Sequence, residues 1–267
     1  MAGHLNIGQG VDWSVPWLDS VRDAGIEIIS GDDWRVALNA RASRCNLRNY
    51  LGHPIRFIPQ EQLPAGQSYE AHISQTGEVP TRDNLHDFFN ALVWFSFPQT
   101  KVCLNAQQFA QISRLGIGQS RGAVRDAVTL FDENAAILAV PDNQVGRELV
   151  QALREHQWNQ LFVQERTAFM AHADVLLFGH ALMDKLVRPY KAITAHTLVC
   201  WVDENYAHLA PSQRRAVLDQ QLATQLAGQA LLPSAFLPLP VLGVPGWWPD
   251  QDAAYYADVT VFRPKRK

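Results

Sequence analysis

The sequence is short of charge. Asp, Glu, Lys and Arg make up 18% of its 267 residues, against about a quarter in an average globular domain. Acidic and basic groups nearly cancel, 26 against 23 for a net charge of −3, so the balance argues against nucleic acid as a partner, which needs a basic face. Cysteine is scarce as well. Cys45, Cys103 and Cys200 are odd in number, far apart and without C-x-x-C spacing. That excludes a zinc ribbon and a disulfide framework and predicts free thiols in a reducing compartment. No apolar run approaches a membrane span: the longest, residues 88–97, is interrupted by Asn90 and Ser96. The N-terminus has neither the basic start nor the apolar stretch of a secretory signal. A cytoplasmic protein with no membrane partner is expected.

What is present is apolar surface, tryptophan and proline. An apolar share of 47% excludes disorder, which requires few apolar residues and unbalanced charge. No repeat or low-complexity linker divides the chain, so residues 1–267 are expected to form one domain. The patterning predicts an α+β, predominantly helical fold with a β-hairpin, short edge strands and a Pro/Trp-rich C-terminal strap. Helices are expected over residues 13–21, 33–44, 83–97, 100–114, 146–166, 173–186, 193–202 and 212–227, the last bracketed by Pro211 and Gly228. Residues 53–59 read as an edge strand limited by Pro54 and Pro59. Residues 69–74 read as a second strand, because Tyr69, Ala71 and Ile73 alternate with Glu70, His72 and Ser74, which would turn His72 to solvent. The hairpin is expected where segments 128–131 and 136–140 flank Asp132-Glu133-Asn134. Between residues 231 and 249 lie five of the 15 prolines, with Trp247 and Trp248. That stretch has too much proline for a helix and is too apolar to stay in water.

The candidate chemistry lies on apolar helices. Asp83, His86, Asp87 and Asn90 fall at i, i+3, i+4 and i+7, one stripe of a helix that continues as an apolar segment. His172, Leu176, His180 and Asp184 repeat an i+4 spacing, and His196 follows in another apolar setting. Imidazole with carboxylate is a common divalent-metal ligand set, so His86, Asp87, His180, Asp184 and His196 are the candidate ligands. A metal so held would activate water, with Asp132 or Glu133 as general base and Lys191 or Arg125 stabilising an anion. Asn90 would orient a ligand, and Trp247 and Trp248 would wall the site. The expected function is then a metal-dependent hydrolase acting on a small molecule such as a phosphoester. The alternative is a non-catalytic binding protein in which the His and Asp residues pair internally.

Gly118-Gln119-Ser120-Arg121-Gly122 matches the G-x-S-x-G elbow of serine hydrolases, but a helical pattern precedes it where the elbow needs a strand. Other blocks carry a resemblance. These are Val79 through Trp94 with Phe97-Pro98, Arg125-Asp126 with Leu130-Phe131-Asp132-Glu133, and Phe178-Gly179-His180-Ala181-Leu182. They continue with Tyr190-Lys191-Ala192, Thr194-Ala195-His196, Leu239 through Trp248, and Val261-Phe262-Arg263-Pro264. In this order they resemble the bacterial DUF3025 family over about residues 50–264, leaving 1–49 as an N-terminal helical extension of the same unit. The resemblance implies one folding unit. The family has no assigned activity, so it implies no catalytic role for any residue.

Overall fold

In a computed structural model, which describes residues 7–115 and 122–265, helices outweigh strands and the α+β class holds. Where a helix over residues 13–21 is expected, Pro16–Leu18 form a single 3-10 turn. Helices α1 (Arg22–Ile29) and α2 (Trp34–Arg44) follow; Asp33 caps α2 by accepting the backbone N–H groups of Arg35 and Val36. Strand β1 (Arg56–Pro59), helix α3 (Tyr69–Thr76) and strand β2 (Glu78–Thr81) come next, and β1 pairs in parallel with β2. Helices α4 (Leu85–Ser96), α5 (Pro98–Leu115) and α6 (Gly122–Asn134) lead directly into strand β3 (Ala135–Pro141). The remainder is α7 (Gln144–Arg154), α8 (Arg166–His172), β4 (Asp174–Leu177), α9 (His180–Lys185), β5 (Thr194–Val202), α10 (Pro211–Gly228), β6 (Leu237–Pro240) and α11 (Ala253–Tyr256).

The main sheet has the order β4-β3-β5-β6, with β3 and β5 parallel and the outer strands antiparallel to them. Every residue of β3 is buried, as expected of a central strand covered on both faces. The strap supplies β6, and Pro238 and Pro240 confine it to the edge. Leu239, Val241 and Leu242 in the same segment are fully buried, which fixes the strap to the body of the protein. A single apolar cluster runs from Ile7 to Phe262. No helix among the described residues is long and apolar enough to cross a membrane. All three cysteines are free.

Several expected elements are corrected. Residues 69–74 are helix, not strand: Ser68 caps the start by accepting from Ala71 N–H, and Gly77 ends it at φ +79°. An alternation of six residues was outweighed by those end signals. His72 is therefore buried rather than solvent-facing, with Glu78 3.3 Å from its Nε2. The hairpin does not form. Val124, Ala127, Val128 and Phe131 have helical spacing, and Asp132-Glu133-Asn134 is the last turn of α6 rather than a β-turn. Segment 173–186 divides into β4 and α9 around Phe178-Gly179, and 193–202 is β5 rather than a helix. Short apolar runs do not distinguish strand from buried helix by period alone. The 146–166 helix breaks after α7, where His156 adopts φ +54°. The Gly118-x-Ser120-x-Gly122 motif lies outside the described residues up to Gly122, where α6 begins.

Candidate functional site

Four chain segments converge on one polar cleft of about 520 Å³. Helix α4 brings His86, Asp87 and Asn90. Helix α6 brings Arg125, Thr129, Asp132 and Glu133 from successive turns, α3 brings Tyr69 and Glu70, and α9 opens on His180. Asn84 caps α4 by accepting from the Asp87 N–H at 2.8 Å, which starts the helix so that His86 falls in its first turn. Gly179 precedes His180 and lies against the α6–β3 junction. A Cβ there would meet Ala135 N at 2.4 Å and Glu133 O at 2.6 Å. Only glycine permits this approach, and it sets His180 beside the end of α6.

The two imidazoles meet point to point. Nε2 of His86 lies 3.2 Å from Nε2 of His180, with the rings at 75° and their centroids 4.5 Å apart. Beside them Lys101, on α5, donates from Nζ to Asp132 Oδ1 at 2.6 Å and to Asn90 Oδ1 at 2.8 Å. Asn90 in turn donates to the Tyr69 hydroxyl at 2.9 Å. Glu70 accepts from Asn105 Nδ2 at 2.7 Å, and Asn105 Oδ1 accepts from Ser74. On the rim, the Arg82 guanidinium holds Asp87 through two bonds of 3.1 and 2.9 Å, supplemented by the Arg82 backbone N–H.

Burial and these charges separate the titrations. Burial pushes His180 down to about 4; Asp132 offsets this in part, while Lys101 and His86 add to it. Burial alone would raise Asp132, but Lys101 and the two imidazoles more than compensate and hold it below the ordinary carboxylate range. Glu70 goes the other way, to about 7, because burial and the neighbouring Asp132 outweigh Lys101, Asn105 and Arg125. The Tyr69 hydroxyl is held well above its usual value, chiefly by burial. At neutral pH the cleft thus contains a neutral imidazole, a fixed carboxylate and a carboxyl that titrates, which is an acid–base arrangement.

The Glu70 shift has a consequence for stability. Between pH 4.5 and 7 the folded protein holds a proton that the unfolded chain has released, so this group contributes stability at low pH that is lost as pH rises through 7. Glu70→Gln removes that dependence. Its stability relative to the parent is expected to increase from pH 5 to pH 8 by on the order of 2 kcal/mol, read by urea unfolding at both values. A difference independent of pH would contradict the raised carboxyl.

Of the candidate residues read from the sequence, His86, Asp87, Asn90, Arg125, Asp132, Glu133 and His180 line this cleft. The others do not line it. His196, on β5, receives Asn134 Nδ2 at Nδ1 over 3.1 Å and packs edge-on to Phe236. Asp184 lies one turn beyond His180 on α9. Lys191 pairs with Asp258 at 2.9 Å and sits 4.2 Å from the Tyr255 ring centre, tying down the C-terminal segment. Trp247 meets Trp17 at 6.5 Å in a separate cleft of about 280 Å³, so it walls a different space. Trp248 is half-buried against the apolar cluster. The five candidate ligands are accordingly not brought together. Among the described residues no three His, Cys, Asp or Glu side chains are placed to hold a metal ion.

The residues at or beside the cleft that were not foreseen are Lys101, Glu70, Tyr69, Arg82 and Asn105. Lys101 carried a signal, a lone cation three residues after Pro98 in an apolar stretch. Glu70 and Tyr69 were hidden by the strand assignment. Their visible signal was the Ser68 and Gly77 pair that ends α3.

The fold and cleft define an α+β protein with a polar cleft lined by two histidines, four carboxylates and two arginines. The chain belongs to a family described as a protein of unknown function (DUF3025), whose sequence model matches residues 55–266. No curated protein matches the chain, and neither does any solved structure.

Proposed function

We propose that this cleft is the active site of a hydrolase that cleaves a small anionic ester, phosphoesters included, by general acid–base catalysis. The observation that carries the reading is the His86–His180 contact of 3.2 Å on the lining of a 520 Å³ polar cleft. A 3.2 Å gap between two ring nitrogens holds one hydrogen, so one imidazole donates and the other accepts. Such a couple can present an N–H to a substrate oxygen while its partner receives a proton. Glu70, titrating near 7, is suited to take the proton of an attacking water at neutral pH. Asp132, kept ionised by Lys101, stabilises positive charge that develops on either ring. Arg82 and Arg125 at the lining attract the anionic group of the substrate.

The test is a panel of chromogenic phosphomonoesters, phosphodiesters and carboxylic esters, assayed with the parent protein and with His86→Ala. The half-buried position of His86 makes that variant well suited to remain folded. Its kcat/KM on the preferred ester is expected to fall about 10²–10⁴-fold, the range for a lost proton-transfer group. In Glu70→Gln the rise of activity through pH 7 should disappear. Equal turnover in parent and His86→Ala overturns the assignment. No turnover of any ester by the parent favours the non-catalytic binding protein.

A further inference from the structure

We infer that the Tyr69 hydroxyl is the oxyanion donor of this cleft, hydrogen-bonding the substrate oxygen that gains negative charge; this rests on the hydrolase reading and adds a catalytic residue to it. Two consecutive bonds fix the direction of that hydroxyl. Lys101 Nζ reaches Asn90 Oδ1 at 2.8 Å, and Asn90 Nδ2 reaches the Tyr69 oxygen at 2.9 Å. An ammonium can only donate, so the amide oxygen must face Lys101 and the amide NH2 must face Tyr69. The NH2 group also only donates, so the Tyr69 oxygen accepts and its own hydrogen points away from Asn90. That hydrogen has no acceptor among the described residues, and Tyr69 lines the cleft. An oxygen of a bound ester would satisfy it.

The chain of bonds runs from a buried charge to the cleft. The Lys101 side chain is only 6% exposed and does not line the cleft, so its charge is relayed through Asn90 to Tyr69. Each bond in such a chain polarises the next, which makes the phenol a stronger donor than it is alone. Its position is fixed as well: Ser68 caps α3 immediately before Tyr69, and the ring packs against the apolar cluster. A donor held in place before charge develops is what stabilises an oxyanion. Burial keeps the phenol protonated through the neutral range, so it donates and does not act as base or nucleophile. Arg82 is less suited to the task, because Asp87 already occupies its guanidinium. In the reaction, water adds to the ester carbon or phosphorus as its proton passes to Glu70. The displaced electron pair settles on an oxygen that Tyr69 stabilises without giving up its proton. The pair then returns, the ester bond breaks, and the leaving oxygen takes the proton back from Glu70. Lys101 and Asn90 are positioning residues for the donor.

The experiment compares the full-length parent with Tyr69→Phe, which keeps the packed ring and removes only the hydroxyl, on the ester the parent prefers. kcat is expected to fall about 10²–10³-fold, the range for losing one oxyanion donor, while KM stays close to that of the parent. The rise of activity through pH 7 should persist, because Glu70 is intact. Asn90→Leu frees the hydroxyl to turn and should give a smaller loss, again in kcat. Unchanged kcat in Tyr69→Phe overturns the donor and keeps the hydrolase. A loss carried by KM, or one that abolishes the pH dependence, also overturns it, since either marks a disturbed cleft instead of a missing hydrogen bond. If the parent cleaves no ester, the hydrolase reading fails and calorimetric titration with inorganic phosphate decides the donor separately. Phosphate should then bind Tyr69→Phe at least about 10-fold more weakly than the parent, the least expected for one lost bond to a charged group. Equal affinity, or no binding to the parent, overturns the donor.

Discussion

Lys101→Met is expected to destabilise the protein by about 3–5 kcal/mol, the cost of breaking a buried ion pair from one side. The Lys101 side chain is only 6% exposed and Asp132 13%. Nζ makes two charge-assisted bonds, to Asp132 and Asn90, and lies 5.4 Å from the Trp94 ring centre. Without the ammonium, the Asp132 carboxylate is left in a low-dielectric site with no cation in contact. Its pKa must then move upward, because burial already acts in that direction and Lys101 is the main opposing influence. Guanidinium unfolding measures the loss, and a change below about 1 kcal/mol would show that solvent reaches the pair. Lys101→Met combined with Asp132→Leu should recover much of the stability, since replacing both partners removes the orphaned charge. The double variant is nonetheless expected to be inactive, which separates the stabilising role of the pair from its role in the cleft.

Gly179→Ala should cost about 3 kcal/mol or more and displace His180. The added methyl would lie 2.4–2.6 Å from backbone atoms of Glu133, Asn134 and Ala135, and backbone cannot rotate away as a side chain can. The same backbone carries two hydrogen bonds, from Phe178 N–H and Gly179 N–H to the Ala135 carbonyl at 3.0 and 2.9 Å. Relief of the clash must therefore open the junction between α6 and β3 or push α9 outward. Either movement separates His180 from His86. The expected result is a large fall in melting temperature together with loss of the His–His contact, seen as independent imidazole titrations by NMR. Gly228→Ala provides the control. Nothing lies within 4 Å of a Cβ at that position, so its effect should stay within about 1 kcal/mol. Comparable losses in both variants would show that contact with the α6–β3 backbone is not the source of the cost at Gly179.

Both predictions concern residues whose importance is a matter of what lies beside them. Helix α4 was legible because its apolar residues recur at helical spacing, Asn84 caps it and Pro98 follows its end. Helix α10 was legible for the same kind of reason, with Pro211 at the start and Gly228 at the end. The stripe on α4 correctly singled out His86, Asp87 and Asn90 as cleft residues, because a helix fixes the relative direction of side chains four apart. The i+4 relation of His180 to Asp184 also holds on α9. Even so, it did not make Asp184 line the cleft, which α9 meets through His180.

Lys191 and His196 show where sequence reasoning ends. Each is a chemically capable group near apolar residues, and each found a partner elsewhere: Asp258 for Lys191, Asn134 for His196. Lys101 is the reverse case, an unremarked lysine made central by Asn90, 11 positions away, and Asp132, 31 positions away. Such pairings depend on how helices are stacked, and nothing periodic in the chain encodes them.

By itself the sequence determined the class of fold, the identity of the buried helix, the extended and packed course of the proline-rich strap and the absence of cysteine linkages. These follow from local rules: period, caps, proline geometry and spacing. Tertiary structure alone decided that α6 runs straight into β3, that His86 and His180 touch, and that Lys101 and Glu70 complete their surroundings. The physical reason is range. Secondary structure responds to neighbours within a few residues, whereas burial, charge pairing and the resulting pKa shifts depend on groups that only the packed chain brings within a few ångströms.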